Sequence, residues 1–140
     1  MKNLAIVFVL TSLSLLSVSC GSGTSTDTGK TIKSAPLSNN MTVTLSNTEG
    51  VLKHGDVEFM LTFKDASGKP VDVGAVALVF FMPSMGTMAA MSDTASFTTT
   101  STPGIYRGKA KIEAAGEWQA QLNYDGAAGN GKTSFPVLAQ

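Results

Sequence analysis

From Met41 onward the chain alternates. Met41-Thr42-Val43-Thr44-Leu45 sets apolar residues at every second position, and Val57, Phe59, Leu61 and Phe63 do the same, with Glu58, Thr62 and Lys64 facing the other way. Side chains of an extended strand point to opposite faces in turn, so period-two patterning marks half-buried strands. Asp65-Ala66-Ser67-Gly68-Lys69-Pro70 punctuates it with residues that tolerate or preset turn dihedrals. Ala75 to Phe81 is a continuous apolar run, which predicts a strand buried on both faces. Phe97 to Thr100, Gly104 to Ile112, Trp118 to Tyr124 and Thr133 to Leu138 read as further short strands. The turn signals between them include Glu113 to Gly116 and Asp125 to Gly131. No stretch after residue 30 carries a helical pattern. About seven strands at this spacing predict an all-β fold, an immunoglobulin-like antiparallel β-sandwich in preference to a small barrel.

The first nineteen residues have another character. Lys2 gives a positive start, Leu4 opens an apolar stretch that runs to about Leu16, and Ser17-Val18-Ser19 leads into Cys20. That is the layout of a secretory signal, and it is too short and too often interrupted by Thr11, Ser12 and Ser14 for a membrane-spanning helix. Cys20 is the single cysteine and stands where a bacterial lipoprotein carries its lipid, although Ser17 occupies a position usually held by leucine. The competing reading is plain cleavage near Ser19 with a free thiol. Gly21 to Gly29 is rich in Gly, Ser and Thr and suits a flexible tether. The expected organisation is a signal over 1–19, a tether over 20–38 and a folded domain over 39–140. The expected location is the bacterial periplasm or cell surface, with the lipid as the membrane partner. A single cysteine permits no internal disulfide, so the fold must rest on its core.

After Cys20, nine basic residues stand against ten acidic ones, a charge of −1. Such a domain lacks the basic footprint of nucleic-acid binding. Its isolated Ser, His and Asp residues form no recognisable triad, and its glycines close strands without opening helices, so no nucleotide motif is present. The chain reads as a non-enzyme.

The segment that carries chemistry is Phe81-Met82-Pro83-Ser84-Met85-Gly86-Thr87-Met88-Ala89-Ala90-Met91, with methionine at every third position. Methionine fills irregular gaps in cores, and that accounts for Met82 at the end of an apolar strand. A helix face would use the same spacing, but Pro83 and Gly86 oppose a helix there. For Met85, Met88 and Met91 the sharper reading is a soft-metal site on a mobile loop. Thioether sulfur selects Cu(I), and methionine keeps its lone pairs at any physiological pH. With one histidine and no cysteine in the domain, a zinc site lacks its usual ligands. Met82 is a possible fourth ligand, and His54, in the turn Val51 to Asp56, an outside one. His54 is otherwise a solvated turn residue, and Trp118 and Tyr124 read as core.

The domain resembles the YtkA-like family of exported proteins over most of residues 41–138. The resemblance is carried in order by Phe63-Lys64-Asp65-Ala66-Ser67-Gly68-Lys69-Pro70-Val71, by Met82-Pro83-Ser84-Met85-Gly86, by Pro103-Gly104-Ile105-Tyr106-Arg107-Gly108, and by Ala115-Gly116-Glu117-Trp118. It implies an immunoglobulin-like sandwich of a kind found in lipoproteins and in periplasmic adaptors of heavy-metal efflux pumps. Thr87 separates Gly86 from Met88, where the family often has Met directly after Gly. The expectation is a lipoprotein that binds or hands over Cu(I), serving a copper-transport or oxidase-assembly protein. The rival is a sandwich module that docks a protein partner through the same methionines.

Overall fold

The computed structural model describes residues 28–140. The expected export signal, Cys20 and the first part of the tether lie outside the described residues. Nine strands form two antiparallel sheets. One sheet has the order β1 (Lys30–Pro36), β2 (Thr42–Asn47), β3 (Gly55–Lys64), β7 (Ile105–Ile112), β6 (Ser96–Thr99). The other has the order β5 (Met91–Thr94), β4 (Ala75–Met82), β8 (Gly116–Gly126), β9 (Gly129–Ala139). The expected all-β sandwich is present, with two strands more than the sequence suggested.

The alternation does what period two dictates. On β3, Val57, Phe59, Leu61 and Phe63 are buried, and on β8, Trp118, Ala120, Leu122 and Tyr124 meet them from the opposite sheet. Aromatic contacts tie the two layers together. Phe59 meets Phe80 of β4 edge-on, with centroids 5.7 Å apart, and Phe63 lies 5.9 Å from Tyr124. Such pairs add roughly 0.5–1.5 kcal/mol each beyond their area burial. Trp118 is fully buried and donates its indole N–H to the Ala114 carbonyl at 3.0 Å. Trp118 and Tyr124 are core residues, as read.

Gly108 makes the Phe59 position available. It stands opposite Phe59 on β3 and opposite Phe97 on β6, and the two rings close over it edge-on, 5.9 Å apart. A Cβ at 108 would lie 2.3 Å from Phe59 Cε2.

Three local expectations need correction. Residues 30–36, assigned to the tether, form β1, an edge strand paired with β2 along its length. Its pattern was hidden because a register shift between Thr31 and Lys33 breaks the alternation, and because few of its residues are apolar. The fold therefore starts before residue 39. The Ala75 to Phe81 run is buried on one face only: Leu78, Phe80 and Met82 point into the core, whereas Ala75 and Ala77 are exposed and Val79 and Phe81 half-buried on the outer face. An apolar run fixes no period, so it could not say that the second face lacks a cover. Finally, the segment after Met82, read as a mobile loop, is a backbone-bonded hairpin leading into β5.

At the far end of the sandwich Tyr106 fastens the 72–74 turn. Its hydroxyl lies 2.9 Å from Asp72 Oδ1 and 3.0 Å from the Gly74 carbonyl, while the Gly74 N–H donates to the same Asp72 oxygen at 2.8 Å. The Gly74 N–H first, and then the Tyr106 hydroxyl, hold the Asp72 carboxyl below its ordinary value.

Two predictions follow from this packing. Gly108→Ala must displace the Phe59 ring and should cost about 1–3 kcal/mol in denaturant unfolding, the usual range for overpacking. Because the Asp72 carboxyl is depressed in the folded state, its contribution is present above the unfolded carboxylate value and is lost as pH falls through the folded value. The stability difference between the native chain and Asp72→Asn should therefore shrink on acidification through that window, read as converging urea midpoints.

Candidate metal centre

β4 carries its inward alternation up to Met82, and Pro83, which has no backbone N–H to donate, ends the regular ladder. Two residues later the chain closes on itself. The Met85 N–H donates to the Met88 carbonyl at 3.1 Å and the Met88 N–H to the Met85 carbonyl at 2.9 Å. Only Gly86 and Thr87 lie between them. Gly86 has φ +57°, and Thr87 is not among the residues with positive φ. A two-residue hairpin turn with a left-handed first position is the II′ type, whose twist suits the flanking strands and which selects glycine there. The sequence Met-Gly-Thr-Met is thus a hairpin tip, and Gly86 was the signal for it.

This geometry sorts the four methionines into two cross-strand pairs. Met82 faces Met91 across the β4–β5 ladder, and Met85 faces Met88 at the tip. Met82 is 2% exposed and belongs to the core, its terminal methyl packed beside Gly116. Met91 is half-buried against the same core. Met85 and Met88 are 56% and 48% exposed. Leu138 is the other large apolar side chain with comparable exposure among the described residues. Residues that exchange both backbone hydrogen bonds sit about 5.5 Å apart at Cα with their side chains on one face, so two flexible thioethers there can converge on one ion. No charged residue lies between Asp72 and Asp93, so β4 and the hairpin carry no charge of their own.

His54 stands apart. It is exposed, its N–H donates to the Gln140 carbonyl at 2.9 Å, and the neighbouring Leu52 pairs with Ala139 at the free edge of β9. His54 and the hairpin share one end of the sandwich. The order β4, β8, β9, Leu52 nevertheless puts three strand spacings, roughly 14 Å, between that segment and β4. The structure therefore brings Met85 and Met88 together at the surface, keeps Met82 and Met91 beneath them, and leaves His54 to one side. Among the described residues no group of three or more His, Cys, Asp or Glu side chains is placed to hold a metal, so thioether sulfur is the soft donor this end provides.

A family model described as YtkA-like matches residues 37–123, well over half of the 140-residue chain. The chain belongs to the YtkA-like family. The matched span runs from the approach to β2 into β8 and includes the whole methionine hairpin, while β1 and β9 lie outside it. No curated protein and no solved structure matches the chain. In this YtkA-like domain the hairpin tip depends on a backbone conformation rather than on packing. A Cβ at Gly86 would meet nothing within 4 Å, so a substitution there is opposed by φ alone.

Gly86→Ala should therefore leave global stability nearly unchanged while loosening the tip by roughly 1–2 kcal/mol, the order of a strained left-handed residue. Amide exchange at Met85 and Met88 should accelerate, with exchange on β3 and β8 unaffected.

Proposed function

We propose that this YtkA-like chain is an exported, lipid-anchored protein that binds Cu(I) through Met85 and Met88 and hands it on. The observation that carries the reading is the exposed, hydrogen-bonded methionine pair at the hairpin tip. A domain that buries Trp118, Phe59, Phe63 and Phe80 completely gains nothing for its own stability by holding two thioethers in water. Soft sulfur suits Cu(I) among biological metals, and thioethers need no deprotonation, so their donor strength does not fall in acid. A site at a tip, open to solvent, exchanges its ion more readily than one closed in a core. Met82 then serves as the floor of the hairpin, with Met91 beside it. The start of the chain supports export and anchoring at Cys20 as read from its pattern. The partner class that fits is a copper-transport or oxidase-assembly protein, and the activity is carriage without catalysis.

A second reading has its own observation. The outer face of β4 runs as an apolar stripe, Ala75, Ala77, Val79 and Phe81, toward the hairpin, which favours a protein-docking role for the methionines.

Sulfur chemistry separates the two. Met85→Leu/Met88→Leu keeps bulk and apolar character but removes the thioethers. Anaerobic competition against a chromophoric Cu(I) chelator should show binding by the native chain, a loss of at least tenfold in the double variant, and no comparable loss in Met82→Leu. Equal weak binding by all three would overturn the copper reading in favour of docking.

A further inference from the structure

The hairpin presents two thioethers, and among the described residues the fold keeps the neighbouring candidates Met82, Met91 and His54 away from them. Met82 is locked in the core, and Met91 is held opposite it by the β4–β5 register. His54 is roughly three strand spacings away, at the β9 edge. The described residues gather no His, Cys, Asp or Glu cluster nearby. Neutral thioethers are weak donors individually, and an ion held by two of them keeps coordination positions open toward solvent. The tip is therefore half of a site.

We infer that the other half is the same tip of a second copy, so that one Cu(I) is held by Met85 and Met88 of two chains. This rests on the copper reading of the hairpin and adds the partner that completes it. Three features favour a second copy. A site at a protruding tip is free of flanking structure that would keep another tip away, and a two-fold axis through the ion turns one Met pair into four sulfurs without asking any new residue of the chain. Residues 73–92, which form β4 and the hairpin, carry no ionisable side chain, and the chain after Cys20 has a charge of only −1. The outer face of β4, apolar from Ala75 to Phe81, leads to the hairpin and gives the two copies an apolar stripe to bring together behind it, with Asp125 and Lys132 beside its far end. On the other sheet Glu58, Arg107 and Lys109 face outward from the central strands β3 and β7, with Glu58 and Lys109 ion-paired at 2.6 Å, so those strands offer no comparable apolar stripe. Bridging also suits transfer, since an acceptor with stronger donors can replace one copy's methionines while the other still holds the ion.

The test is native mass spectrometry and sedimentation velocity on the full chain, titrated anaerobically with Cu(I). The expected result is a monomer without metal, a doubling of mass that saturates at one ion per two chains, and four sulfur neighbours by X-ray absorption. Met85→Leu/Met88→Leu, whose exposed positions leave the core untouched, should remain monomeric at every ratio with unchanged circular dichroism. One ion bound per chain at monomer mass would overturn the shared site while leaving copper binding by the hairpin intact. A dimer that forms without metal, or that survives in the double variant, would overturn it too, by making the contact apolar rather than metal-bridged. Absence of any binding by the native chain would overturn the shared site and the copper reading together.

Discussion

The contact between Phe59 and Phe80 joins the two sheets, and much of the molecule is arranged around it. Phe59 reaches the midplane because Gly108 beneath it has no side chain, and Phe97 closes the gap from the next strand. Phe80 meets it from β4, which fixes which face of β4 turns inward. Once Phe80 is in, period two puts Leu78 and Met82 in as well and turns Val79 and Phe81 out. A slip of one residue would exchange these sets, so the aromatic contact also sets the register that places the hairpin.

That register explains why four methionines at regular spacing have unequal lives. A spacing of three is neither the period of a strand nor, with Pro83 and Gly86 present, that of a helix. Folded into a hairpin, it becomes two rungs: Met82 with Met91 inside the sandwich, and Met85 with Met88 beyond its end. The inner rung closes the core beside Gly116, and the outer rung keeps its sulfur in contact with solvent. The same residue type is thus buried at one rung and exposed at the next within ten residues. The backbone bonds between Met85 and Met88 hold the outer pair at fixed separation, so little ordering of the chain would remain to oppose the proposed ion binding.

The strands with clean alternation, β2, β3, β7 and β8, were legible because each buries a single face. The sandwich class followed from their number and the turns between them. β1 was not legible: a polar edge strand with a register shift carries almost no apolar period. β5 was missed because its four residues, Met-Ser-Asp-Thr, are too few to show one. The candidate site was legible as chemistry, since thioether sulfur, one histidine and the absence of cysteine after Cys20 can be read directly from the chain. Its geometry was not, although Gly86 hinted at the turn.

Residue by residue, the sequence determined which side chains alternate, where turns are permitted and which soft donors exist, because these depend on local sterics and on side-chain chemistry. The tertiary structure decided which face of β4 is covered, which methionines lie at the surface and how far His54 stands from them. These depend on the pairing of strands distant in sequence, β4 with β8 and Leu52 with Ala139, and no local pattern encodes which partner a strand will find. A methionine becomes a core residue or a surface one according to what packs against it.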